Sequence, residues 1–373
     1  MSETFATDVY VARMRQAEKL CAELGTGGLV VPTGMLMKYF TGLEIDSHER
    51  LTALVLGGEP TLISPAVDVP TIDPGLGLTQ KAWPDGSSPY ALVAEALSGA
   101  ESDGPIVVGS ALTADHVLRL QKVVGTDMLL AEEALGELLA CKDEAEIAAL
   151  AEAGEAIDAV HAQVPELLRA GRTEREVAAD LERLILERHT SVDFIIVGSG
   201  PNGALPHHDY SDRVLAAGEM VVVDIGGTMP SGYCSDCTRT YVVPGGELDE
   251  RLAAAYDVLS QAQRAALAQA RPGVTAGSVD AAARDIITEA GYGEFFFHRT
   301  GHGIGLSTHE EPAIAAGNDR VLEPGMAFSI EPGIYISELG GARIEDIVVV
   351  TEDGVRRLNS RPRTLDASPE DAS

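Results

Sequence analysis

The stretch GRTEREVAADLERLI, beginning at Gly171, returns in looser form as GVTAGSVDAAARDII, beginning at Gly273. At one constant offset Gly171 stands over Gly273, Thr173 over Thr275, Val177 over Val279, Ala179 over Ala281 and Ile185 over Ile287. Thr173 and Glu176 have the spacing of a capping box, so each copy is expected to open a helix. Further on, LAAGEMVVVD, ending at Asp224, is echoed by LEPGMAFSIE, ending at Glu331. Each has a glycine, an apolar strand-like run and then a carboxylate. Two echoes in the same order imply duplicated halves, each with helices followed by strands.

Each half supplies two acids from neighbouring strand-like runs. In the first, MVVVDIGG and YCSDCTRTYVV flank TMPSG, a natural turn, so a hairpin is expected to bring Asp224 and Asp236 side by side. In the second, FSIEPGIYI and ARIEDIVVVT carry Glu331 and Glu345. All four acids lie in apolar surroundings from which ionised side chains are normally excluded. Acids scattered singly at strand ends would face water, but four in matched positions of facing halves would converge. Two like charges ~4 Å apart repel by roughly 4 kcal/mol at an effective dielectric of 20. Six such pairs come to about 20 kcal/mol, more than a domain's net stability. Two divalent cations would cancel all four charges, so the acids are read as metal ligands.

Residues 298–312 read HRTGHGIGLSTHEEP, with His298, His302 and His309 among glycines. The helix-borne HExxH zinc pair is absent. Four carboxylates with one imidazole suit manganese or cobalt better than a cysteine-rich zinc site. His302, between Gly301 and Gly303, is read as the residue whose backbone can approach the metals closely. His298 and His309 are left for proton transfer or for holding substrate carbonyls. GSGPNGALPHHDY adds His207 or its neighbour His208. His48 and His161 stand alone and are read as surface or structural residues.

The remaining chemistry is bounded by charge and cysteine usage. A formal net charge of −31 should repel nucleic acid and anionic lipid. No run of apolar residues is long enough to span a membrane, and no secretory pattern opens the chain, so a cytoplasmic location is the default expectation. The four cysteines are expected to be reduced. CSDC sits in a strand-like context where residues three apart face opposite sides, so Cys234 and Cys237 are read as packing residues.

Along the chain, 1–138 reads as a small mixed α/β domain: a helical stretch at 8–24, then strand-like GGLVVPT, MLMKYFTGL, TALVLGG and PTLISPA. A larger domain at 139–360 contains the repeat, and 361–373 reads as a flexible tail. The fold class is therefore α/β, in the α+β sense.

The segments GSGPNGALPHH, VVVDIGG, CSDCTRTY, GHGIGLSTHEEP, SIEPGIY and ARIED together resemble the pita-bread metallopeptidases, in the branch of Xaa-Pro aminopeptidases and Xaa-Pro dipeptidases (prolidases). The resemblance implies a pita-bread domain of pseudo-two-fold halves behind that branch's amino-terminal domain. By position, Asp224, Asp236, His302, Glu331 and Glu345 resemble the five metal ligands, with Asp236 and Glu345 bridging two metals. Manganese is implied first, with cobalt or zinc behind it. His207 resembles the substrate-facing histidine of the L-P-H motif, His298 and His309 the two histidines around the ligand, and Arg343 the arginine that positions substrate; His208 has no counterpart. The Asp224–Asp236 spacing is one residue longer than in many relatives, an excess assigned to the turn TMPSG.

The implied reaction is metal-assisted hydrolysis of an amino-terminal Xaa-Pro bond in a small peptide, with Glu331 moving the proton. The first reading is an Xaa-Pro aminopeptidase and the alternative is an Xaa-Pro dipeptidase. A methionine aminopeptidase typically lacks the leading domain and the R-I-E segment. A creatinase-type hydrolase lacks the metal set, and a non-catalytic binding module would have lost ligands that are intact here. A homodimer is implied by the resemblance alone.

Overall fold

The computed structural model describes residues 5–46 and 48–366. The chain divides between Leu139 and Ala140 into two compact units. In the leading unit, strands β1 (Leu29–Pro32), β2 (Ala53–Leu56), β3 (Thr61–Pro65), β4 (Thr79–Trp83), β5 (Ile106–Val108) and β6 (Met128–Leu130) form one sheet in the order β4-β3-β2-β1-β5-β6. The central strands LVVP and ALVL are buried throughout, as expected where both faces of a mixed sheet are covered. The first helix spans Thr7–Glu23, one residue from the stretch expected.

The run at Met35 is a correction. It reads as strand-like, yet Met35–Thr41 is a helix. Its buried Leu36, Met37, Tyr39 and Phe40 recur at helical rather than alternating spacing. Gly42, at φ 71°, caps it in the left-handed conformation that glycine tolerates.

The second unit carries the duplication. Helices Glu144–His161 and Glu174–Ile185 precede strands β7 (Ser191–Ser199), β8 (Met220–Thr228) and β9 (Cys234–Val242). Helices Glu250–Gln269 and Ala276–Glu289 precede β10 (Gly301–Gly303), β11 (Glu310–Ile314), β12 (Ala327–Ile330), β13 (Gly333–Ile336), β14 (Gly340–Arg343), β15 (Asp346–Val350) and β16 (Val355–Arg357). The two halves form a β7-β8-β9 sheet and a β11-β10-β12-β15-β16 sheet, with β13-β14 as a separate hairpin.

The repeated helices begin as the sequence implies. Thr173 caps the amide of Glu176 while Glu176 caps that of Thr173, and Thr275 caps the amide of Ser278. Both threonines also form an isolated antiparallel bridge, Thr173 with Val214 and Thr275 with Val321. Each half therefore ties its helix start to the segment leading into its strands in the same way. Separate apolar clusters fill the halves, one around Ile157, Leu181 and Val223 and the other around Leu259, Ile287 and Phe328.

Cys234 and Cys237 are buried free thiols in β9, consistent with packing roles. The flexible tail is corrected for its described part. Arg239, almost wholly buried, donates from Nε to the Pro362 carbonyl at 3.1 Å and from Nη2 to the Arg361 carbonyl at 2.9 Å. Leu365 accepts the Val242 amide. A buried guanidinium must fill its donors, and this segment supplies carbonyls that composition alone does not reveal. The remainder of the expected tail, 367–373, lies outside the described residues. Among the described residues no helix is long and apolar enough to cross a membrane.

Candidate metal centre and active site

The β8–β9 hairpin turns through Gly232, whose φ of 89° suits glycine. Its register places Asp224 opposite Thr238 and Asp236 opposite Gly226. The two acids are thus diagonal neighbours on one face rather than directly opposed. A side chain at Gly226 would come within 2.4 Å of the Phe194 ring, so only glycine fits opposite Asp236.

The other pair arrives from the second half. Between β14 and β15 the chain lies against β9. Glu345 donates its amide to the Thr238 carbonyl at 3.1 Å and accepts from Thr238 Oγ1 at 2.9 Å. Thr240 Oγ1 donates to the Arg343 carbonyl at 2.9 Å and accepts from the Arg343 amide at 3.1 Å. Hydroxyl-bearing residues of β9 thereby fix both Arg343 and Glu345. Glu331 follows β12, its amide bonded to the Thr300 carbonyl at 2.7 Å. Ser329 Oγ accepts from the His302 amide and donates to Glu331 Oε1, coupling these two residues.

The glycines beside His302 also answer to packing. A Cβ at Gly301 would fall 1.8 Å from the Ser329 carbonyl oxygen, and one at Gly303 would fall 2.2 Å from that of Glu311. Neighbouring backbone by itself requires both glycines.

All nine residues singled out in the sequence line one cavity of about 450 Å³: His207, Asp224, Asp236, His298, His302, His309, Glu331, Arg343 and Glu345. Asp236, His302 and Glu345 bring potential ligand atoms within 4.8 Å of one another. Asp224 and Glu331 stand beside this group, held by Arg343 at 2.6 Å and by His302 at 3.2 Å respectively.

The acids respond to burial and to one another. Burial, then the charges of Glu345 and Asp224, push Asp236 well above the usual carboxylate range. Burial with the charges of Glu331 and Asp224 carries Glu345 up to about 8. Burial also raises Asp224, although Arg343 opposes it. Burial acts on Glu331 as well, but hydrogen bonding and attraction to His302 outweigh it and hold it at about 2. His302 is raised, because the pull of Glu331 exceeds its own desolvation.

Two buried oxygens, Asp224 Oδ1 and Glu345 Oε1, have no hydrogen-bond donor. An unsatisfied buried carboxylate oxygen is costly and rare. Such oxygens beside an oxygen-rich group with one imidazole fit divalent cations, which need acceptors and bring no competing protons.

The other residues frame this centre. Arg343 reaches Asp224 from Nη2, Tyr335 Oη from Nη1 at 2.8 Å and Thr238 Oγ1 from Nε at 3.1 Å. His298 Nε2 lies 2.9 Å from the same Tyr335 hydroxyl. The His309 ring packs edge-on against His302, with centroids 4.2 Å apart. Burial and the neighbouring His302 charge lower the pKa of His309, so its ring is neutral near pH 7. His208 does not line this cavity but bonds to Glu174, as its lack of a counterpart suggested. His161 is fully buried between Tyr241 and the Cys237 carbonyl, a structural histidine.

Sequence reasoning missed Tyr335, Thr238 and Ser329, each holding a site residue by a hydroxyl. The available signal was alternation: Thr238 and Thr240 are polar on a strand whose both faces are buried.

Residues 148–352 match the pattern of metallopeptidase family M24. The chain is 51% identical to the probable dipeptidase PepE of Mycobacterium tuberculosis, over 99% of each chain. It is 37% identical to an Xaa-Pro dipeptidase of Lactobacillus delbrueckii subsp. lactis, over 93% of this chain and 96% of the relative. The crystal structure of dipeptidase PepE from Mycobacterium ulcerans superposes with a TM-score of 0.91 at 50% identity, covering 97% of this chain and 98% of that one.

Proposed function

From the chain's membership of metallopeptidase family M24, we propose that it is an Xaa-Pro dipeptidase holding two divalent cations, manganese first. This reverses the order in which the sequence ranks the two exopeptidases. The change rests on relatives described as dipeptidases across nearly the full length of this chain. The metal reading is carried by the two buried carboxylate oxygens without donors.

In this reading Asp236, His302 and Glu345 hold the cations, with Asp224 and Glu331 completing the set. Bound cations of this kind acidify water and polarise a carbonyl. Glu331, ionised over the whole neutral range, accepts the attacking water's proton and delivers it to the departing proline nitrogen. Neutral His309 donates an N–H to the developing oxyanion, and His207 at the cavity's edge positions the peptide. Arg343 pairs with Asp224, and with His298 fixes the Tyr335 hydroxyl. Proline's tertiary amide offers no N–H to grip, so recognition falls to its ring, for which Phe194 and Ile196 provide the apolar wall. A cytoplasmic homodimer belongs to the same reading, and sedimentation velocity would check the dimer.

The decisive assay compares Gly-Pro, Ala-Pro and a longer Ala-Pro-Xaa peptide with manganese supplied. Both dipeptides should be cleaved, and the longer peptide should be at least about 10-fold slower in kcat/KM, a difference of ~1.4 kcal/mol. Equal cleavage would return the aminopeptidase reading, and no cleavage of any Xaa-Pro bond would end both. His309→Ala should keep its metal content by elemental analysis while kcat falls roughly 10²–10³-fold, as when one oxyanion donor is removed. An unchanged kcat would remove His309 from the mechanism.

A further inference from the structure

Glu174 is fully buried, yet it lies outside the cavity. Its Oε1 accepts from the Ser199 amide at 2.8 Å, Ser199 Oγ at 2.6 Å and Asn202 Nδ2 at 3.0 Å. Its Oε2 accepts from His208 Nε2 at 2.9 Å, the Ser211 amide at 2.9 Å and Ser211 Oγ at 2.6 Å. Every one of these donors lies within residues 199–211, so one carboxylate gathers both ends and the middle of a single loop. The helix beneath it contributes too, because Glu174 occupies the first turn, where the dipole favours an anion.

That loop carries His207. On its cavity side the Pro206 carbonyl accepts from Arg343 Nη1 at 3.3 Å, which links the loop to the Asp224 partner. On its far side His208, the next residue, is the one bonded to Glu174. His207 itself is exposed at the cavity's edge. Both residues that flank it are anchored, Pro206 by Arg343 and His208 by Glu174.

The second half has a related device at a different position of its helix, because Glu174 stands over Ala276 in the repeat and Asp280 over Ala178. Asp280, also fully buried and on the repeated helix, accepts from the Thr300 amide and hydroxyl and pairs with Arg284. Arg284 in turn donates to the carbonyls of Phe296 and His298 at 2.9 and 2.8 Å. In each half, a buried carboxylate on the repeated helix clamps the segment that bears a cavity histidine.

We propose that Glu174 is a positioning residue that aims His207 into the cavity by clamping residues 199–211, His208 included. The inference rests on the proposed hydrolysis for its kinetic test but not for its structural one. Glu174→Gln replaces an all-acceptor group with one whose NH₂ opposes these donors. The variant should lose kcat/KM by about 10–100-fold, the range typical when a supporting hydrogen-bond partner is removed. In a His207→Ala background the same substitution should change kcat/KM by less than about 2-fold, because the group it acts through is gone. Metal content should be the same in all four proteins.

Hydrogen exchange provides the activity-free readout, with faster exchange expected in 199–211 of Glu174→Gln. An equal kinetic loss in both backgrounds, no loss in either, or unchanged exchange in 199–211 overturns the proposal. Should the Gln variant fail to fold, His208→Ala enters the same cycle with the same criteria and a smaller loss expected. If the wild type cleaves no Xaa-Pro substrate while the exchange change is present, the hydrolytic reading falls and the clamp stands.

Discussion

Asp236→Ala is expected to abolish metal retention and peptide hydrolysis together, with kcat/KM falling on the order of 10⁴-fold. The expectation follows from where Asp236 stands. It is the one aspartate in the group that brings ligand atoms within 4.8 Å of one another, and it lies within β9, paired in register with Gly226 of β8. Elemental analysis beside an Xaa-Pro assay checks both losses at once. Loss of hydrolysis with full metal content would make Asp236 a substrate or proton group, and full turnover would remove it from the site. Asp236→Asn in metal-free protein should fold at least as stably as the wild type, since burial and like charges already press the native side chain towards its neutral form.

The second large effect is a reversal of pH dependence on metal removal. Glu345 starts from 4.5 and reaches about 8 in the folded chain, so folding favours its protonated form. The stabilisation this brings is complete below about pH 4.5 and is lost as pH rises through about 8. Asp236 shifts in the same direction. Glu331 runs the other way: its pKa falls to about 2, so its contribution is present above about pH 4.5 and lost only in acid. Chelated protein should therefore be less stable at pH 8 than at pH 5, by roughly 3–5 kcal/mol for the Glu345 shift alone.

Metal-loaded protein should show the opposite trend, because cations bind ionised carboxylates and bind them better as pH rises. The measurement is urea unfolding at both pH values with and without chelator. The chain's single tryptophan, Trp83, reports on the leading unit, so the transition is better followed by exchange of β8 and β9 amides. The same pH trend with and without metal would show that these acids do not govern stability.

How much of this was legible beforehand depended on the kind of constraint. The repeat exposed the pairing of helix caps and of ligand-bearing strands, because duplication preserves residue types at fixed positions. Acids inside apolar runs exposed the cluster, because burial of four like charges is so unfavourable. Register was not legible: a two-residue offset between Asp224 and Asp236 leaves the facing side chains on the same side, so either pairing satisfies the pattern. Nor was the reason for Gly301 and Gly303, which depends on carbonyls brought alongside from distant sequence. Glu174 looked like an ordinary acid in a helix's first turn, and its six donors come from a loop more than twenty residues away. The strand reading at Met35 failed because a short apolar run has no period of its own and depends on its flanking glycines.

The clasp between Arg239 and the last described segment ties the far end of the described chain to the strand that carries Asp236. Arg239 lies between Asp236 and the segment that docks Glu345; it contacts the Glu345 carbonyl, pairs with Asp346 at 2.6 Å and is completed by the carbonyls of Arg361 and Pro362. Removing the segment from Arg361 onward would strip two carbonyl acceptors from a buried guanidinium that sits on the strand carrying Asp236, while its pair with Asp346 and the Thr238 bonds that dock Glu345 would stay, so the cost of truncation falls on stability beside the site.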